Sequence, residues 1–315
     1  MNEDIEAEAA QRSRRLSRRN LLWGGGGIAL AIGGFVAGAA TGAIKLNPAI
    51  AHTVTALGQP HEPTATTTAI APVSLVTTSV TSVYSPTRRG NLNLVSFLPA
   101  GVSPTRLPVC LLLPGTPGDP RRALPGLSAA LSDATRGKRP FAIVALDGGQ
   151  NCWHQQGPGA DPMDVLVDEL PAWLSAHGLT GPPVLAAGIG SGGFDALLYA
   201  RRRNEHGNPV RAVAAIAPGL ATTWPEASAR RTFQDETQWN ALDPIRHVAE
   251  LGRTPVGVWC GDRDPDLTGI REFVRLAHPQ VADISKPGHS AVDFRTTLAQ
   301  ALRFLGGNLP PSARH

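Results

Sequence analysis

A chain of 315 residues with 42% apolar and 17% charged side chains can bury one large core, which excludes a disordered or fibrous protein. The formal net charge is +4 and no run of Lys or Arg is interleaved with aromatics, so no nucleic-acid partner is expected. Cys110, Cys152 and Cys260 lack the paired spacing of a metal site; three buried thiols are expected rather than one disulfide and a free thiol, and neither a metal nor another cofactor is anticipated.

Residues 1–44 read as an export signal. Ser17-Arg-Arg-Asn-Leu-Leu22 has the twin-arginine pattern, preceded by Arg12, Arg14 and Arg15. From Leu21 to Ile44 there are 24 uncharged residues, eight of them glycine, a moderate hydrophobicity suited to that route. The twin-arginine export machinery is therefore an expected partner, and the cell envelope or the outside an expected workplace. Small residues at Ala37-Gly-Ala39 and Thr41-Gly-Ala43 offer cleavage positions, while an uncleaved segment is long enough to associate with the membrane as an anchor. Residues 45–72, rich in Thr, Pro and Ala, read as an extended linker, 73–307 as the folded domain and 308–315 as a flexible tail.

Within the domain, Val73–Tyr84 and Asn91–Leu98 read as an antiparallel pair joined by Ser85-Pro-Thr-Arg-Arg-Gly90. Pro108–Leu113 and Phe141–Leu146 are continuous apolar runs, the pattern of strands buried on both faces. Met163–His177 has helical spacing. Val184–Ile189 leads through a glycine-rich turn into a helix ending near Asn204, and Val210–Ala217, Pro255–Cys260 and Val281–Ser285 are further strands before a closing helix at Val292–Leu305. Strands alternating with helices predict an α/β protein with a mainly parallel central sheet covered on both faces.

Several local motifs share one order. Val83-Tyr-Ser-Pro86 and Val95-Ser-Phe-Leu-Pro99 open the domain, and Leu112-Leu-Pro-Gly-Thr116 follows the third strand. Asp147-Gly-Gly-Gln-Asn-Cys-Trp-His154, Ala187-Gly-Ile-Gly-Ser-Gly-Gly-Phe194, Asp243-Pro-Ile245, Gly261-Asp-Arg-Asp264 and Pro287-Gly-His-Ser290 come after it. In this order they resemble the α/β-hydrolase fold, and specifically the esterase D-like family that includes the secreted mycolyltransferases, over about residues 73–307. The resemblance implies an exported serine ester hydrolase or acyltransferase acting on a small-molecule or lipid ester, such as a sugar ester, of the cell envelope.

It also implies a triad in the chain order nucleophile, acid, base. Ser191, Asp264 and His289 are its candidates, with Asp262 a rival for the acid. Gly192, Gly115 and Thr116 are oxyanion or binding candidates; Gly118 is a further backbone donor, whereas Pro114 and Pro117 have no N–H to give. Trp153 and His154 are candidate pocket walls, and 219–242 a candidate cap. One departure opens an alternative. The family's turn reads Gly-x-Ser-x-Gly, and in the frame set by Gly188 and Gly192 the nucleophile position is Gly190, with Ser191 one residue late. A catalytically inactive binding or envelope protein on the same fold is the second expectation.

Overall fold

A computed structural model describes residues 76–115, 126–136, 139–146, 152–155, 159–285 and 291–310. The expected export segment, the linker and the tail beyond 310 lie outside the described residues. Among the described residues no helix is long and apolar enough to cross a membrane.

Eight strands form one sheet in the order β1-β2-β4-β3-β5-β6-β7-β8. The opening pair is β1 (Val76–Ser85) and β2 (Gly90–Pro99), antiparallel as expected, with Val83 opposite Leu92. Strand β2 also runs antiparallel to β4 (Ala142–Leu146). From there β3 (Val109–Leu113), β5 (Leu185–Ile189), β6 (Ala212–Ile216), β7 (Val256–Gly261) and β8 (Val281–Ser285) are all parallel.

The apolar runs fill both faces because strand side chains alternate. In β3, Val109, Leu111 and Leu113 enter one core, and Cys110 and Leu112 the other. The second core is closed by α1 (Leu127–Thr135) and α7 (Ala291–Gly307), through Leu131, Leu298 and Leu302. The first is closed by α2 (Leu170–Ala176), α3 (Ser191–Glu205) and α6 (Leu267–Ala277), through Leu174, Leu197 and Phe273.

Two features differ from the sequence expectation. The helix expected over 163–177 begins as a wide π turn, Val165–Glu169, and only then becomes α2. Pro171 has no N–H for the carbonyl of Val167, so the regular ladder cannot run through it, and the Leu170 N–H reaches back to Val165 O instead. Helices α1 and α6 have no counterpart among the expected elements. The segment 219–242 holds α4 (Trp224–Ser228) and α5 (Glu236–Leu242), whose tryptophans, Trp224 and Trp239, have ring centroids 6.2 Å apart.

Candidate functional site

A single residue, Gly190, separates β5 from α3. Its φ of 58° and ψ of −125° lie where side chains are strained. The flanking glycines fix the frame by close packing. A Cβ on Gly188 would lie 1.9 Å from Gly192 O, and one on Gly192 would lie 2.0 Å from Leu113 O. The small-x-turn-x-small arrangement is therefore centred on Gly190, where there is no side chain. Ser191 is the first residue of α3, and its hydroxyl donates to Gly115 O at 3.1 Å. Its backbone N–H, one of the first-turn donors a helix leaves unused, has no acceptor among the described residues.

A cavity of about 460 Å³ opens at this turn. Gly115, Gly190 and Ser191 form its floor. Cys152 and His154 come from the loop after β4, and Phe194 from α3. The 219–242 segment contributes Gly219, Arg230, Thr232 and Phe233. A second cleft of about 580 Å³, with Arg246, Arg271 and Arg275 on its wall, contains none of the expected site residues.

His154 is the best-held group in the elbow cavity. Its Nδ1 lies 2.8 Å from Asp195 Oδ1 and its Nε2 lies 3.0 Å from Thr232 O. A carboxylate and a carbonyl are both acceptors, and this pair of partners favours the ring with both nitrogens protonated. Burial opposes that charge, but the hydrogen bond and charge of Asp195, with help from the Thr232 carbonyl and Asp161, outweigh it and raise the His154 pKa. The other Asp195 oxygen accepts from the Trp153 N–H at 3.1 Å. Side chains of His154 and Asp195 are 4% and 2% exposed. Phe233 stacks on the imidazole at a centroid distance of 5.0 Å, and Phe194 lies tilted to it at 5.4 Å. With both ring nitrogens engaged by Asp195 and Thr232, His154 is not placed to take a proton from a nucleophile.

Of the two expected pocket walls, only His154 faces the cavity. Trp153 is buried in the core beneath the Arg88 guanidinium, which sits 4.9 Å over its ring. Gly192 packs against the end of β3. Asp264 follows β7 and is buried, with Oδ1 accepting from the Asp266 N–H at 2.9 Å; its rival Asp262 is half-buried. His289 and Thr116 lie outside the described residues. Asp266 lines the cavity and binds Arg230 at 2.5 Å. Burial raises the Asp266 pKa, with Arg230 pulling the other way. The cysteines correct one expectation: Cys110 and Cys260 are buried, but Cys152 is half-buried and reaches the cavity. Sequence reasoning missed Asp195, whose one signal is a lone acid inside the apolar stretch Phe194–Ala200.

No family model matches the chain, and no curated protein matches it. Solved structures do. A ferulic acid esterase aligns with a TM-score of 0.62 at 20% identity, covering 74% of this chain and 99% of its own. An S-formylglutathione hydrolase from Agrobacterium tumefaciens aligns with a TM-score of 0.60 at 16% identity, covering 76% and 98%. Carboxyl esterase 2 from the mycorrhizal fungus Tuber melanosporum aligns with a TM-score of 0.56 at 16% identity, covering 75% and 88%. At identities this low the likeness shows the fold alone, and the chain has the α/β-hydrolase fold.

Proposed function

We propose that this chain is an exported α/β-hydrolase-fold protein that holds an acyl ester, of a lipid or a sugar, in the elbow cavity without serine-hydrolase turnover. The observation that carries this reading is Gly190: the residue that turns the chain from β5 into α3 has no side chain to attack with. Esters are the proposed ligand because the cavity combines aromatic walls, Phe194 and Phe233, with the N–H of Ser191 at the start of a helix, which has no acceptor among the described residues. That donor can take an ester carbonyl oxygen whether or not chemistry follows. Export rests on the twin-arginine pattern at Ser17–Leu22.

A second reading is favoured by one observation. Ser191 lines the same cavity, so a Ser191–His289–Asp264 hydrolase or acyltransferase, of mycolyltransferase-like specificity, is a competing proposal. One experiment separates the two. The purified protein is treated with a fluorophosphonate probe, and its binding of short p-nitrophenyl esters is followed by ligand-observed NMR. Ester binding with no labelling and no turnover supports the binding protein. Labelling that disappears in Ser191→Ala establishes the hydrolase, and no ester binding at millimolar concentration overturns the ligand class.

A further inference from the structure

The loop after β4 and the first turns of α3 bring together three side chains that the ester-binding reading does not use as a set. Cys152 Sγ, a ring nitrogen of His154 and a carboxylate oxygen of Asp195 all lie within 4.8 Å of one another. We propose that these three residues form a binding site for a borderline-soft divalent transition ion of the zinc class, with its remaining coordination position open to the elbow cavity. This goes beyond the ester-binding reading and stands or falls separately from it.

The donor set suits such an ion. Thiolate sulfur, imidazole nitrogen and carboxylate oxygen are the ligand types zinc takes, and three protein ligands with one open position is the pattern of its reactive sites. The atoms around the cluster strengthen the assignment. His154 Nε2 donates to Thr232 O at 3.0 Å, which holds the ring so that Nδ1 is the nitrogen presented to Asp195. Asp195 Oδ2 is fixed by the Trp153 N–H at 3.1 Å, leaving Oδ1 to face Nδ1. A distal ring N–H on a backbone carbonyl and an anchored carboxylate are the outer contacts that orient metal ligands. Cys152 and His154, two residues apart on one loop, both reach the cavity, so incoming ion and ligand have a path.

Binding would exchange protons for metal. The ion takes the place of the Nδ1 proton that now joins His154 to Asp195, and any proton on the Cys152 sulfur is released with it. Donors around a tetrahedral zinc at about 2.0–2.3 Å stand roughly 3.5 Å apart, so the Nδ1–Oδ1 pair must open slightly and the sulfur close in. A half-buried cysteine on a loop allows that adjustment.

The test uses the full-length protein, stripped with a chelator and titrated with Co²⁺ and then Zn²⁺. The expected result is one equivalent of Co²⁺ bound with a sulfur-to-cobalt charge-transfer band, displaced by Zn²⁺. Cys152→Ser should abolish the band. Asp195→Asn should weaken uptake by more than about tenfold, the loss that even outer partners produce. Circular dichroism checks each fold, and Cys152→Ser, at a half-buried position, keeps the test alive should Asp195→Asn fail to fold. Absence of the band in the unaltered protein, or uptake indifferent to Cys152→Ser, overturns the site and leaves an imidazolium–carboxylate pair alone. Neither outcome depends on whether an ester binds.

Discussion

Gly190 faces Gly115 across the elbow with room between them. Among the described residues, a Cβ built on Gly190 would have Gly115 Cα, at 4.0 Å, as its nearest neighbour beyond the adjoining residues. Nothing among the described residues crowds that position, so the turn lacks a nucleophile by residue identity. Gly190→Ser should fold, at a cost of about 1–3 kcal/mol for a side chain at positive φ, and put a hydroxyl on the cavity floor. Thermal unfolding measures the cost. Fluorophosphonate labelling of the variant, absent from the parent, would report that the base and acid still stand in their working places.

The flanking glycines should be intolerant. Gly192→Ala drives a methyl to 2.0 Å from the Leu113 carbonyl oxygen, between backbone segments that cannot move apart singly. The expected loss exceeds about 3 kcal/mol, the upper end of ordinary overpacking. A urea midpoint close to that of the parent would mean that the helix does not pack against β3 as described.

The thiols should separate by reactivity. Burial pushes the Cys260 thiol up to about 11 and raises Cys110 further still, so both stay protonated at neutral pH and out of reach. Cys152 is half-buried and opens to the cavity. Iodoacetamide at pH 7.5 should alkylate Cys152 first in the native protein, as mapped by peptide mass spectrometry. An ester ligand or Zn²⁺ in the cavity should slow it.

The His154–Asp195 pair should give the metal-free protein a pH-dependent stability. The His154 pKa is raised in the folded state from the ordinary 6.5. Its stabilisation is thus complete below about 6.5 and fades as pH rises through the raised folded value. Urea midpoints measured with chelator present should fall across that window in the parent and stay flat in His154→Gln. Removing Asp195 alone, as Asp195→Ala, should lower the urea midpoint most at acidic pH and flatten its pH dependence, because the buried imidazole then gives up its proton and the Trp153 N–H loses its acceptor.

Much of the fold was legible because its signals are local. The doubly apolar runs at 109–113 and 142–146 have the length and pattern of strands covered on both faces, and the glycine cluster at 188–193 marks a sharp turn. The pattern was less informative where a single residue overrides it, as Pro171 does in turning an expected α-helix into a π turn. The candidate site was legible in outline: the turn, the late serine and the aspartate after β7 all follow from position along the chain.

By itself the sequence determined the alternating α/β order, the missing side chain at the centre of the elbow motif and the place of Asp264 after its strand. Only the tertiary structure decided that Gly188 and Gly192 lock the frame onto Gly190, that Trp153 turns into the core while His154 turns to the cavity, and that His154 is held by Asp195, 41 residues along the chain. The physical reason is one of range. Periodicity and turn chemistry act between near neighbours, whereas a hydrogen bond across 41 residues exists because the loop beyond β4 and the start of α3 both leave the sheet at the carboxyl ends of its parallel strands.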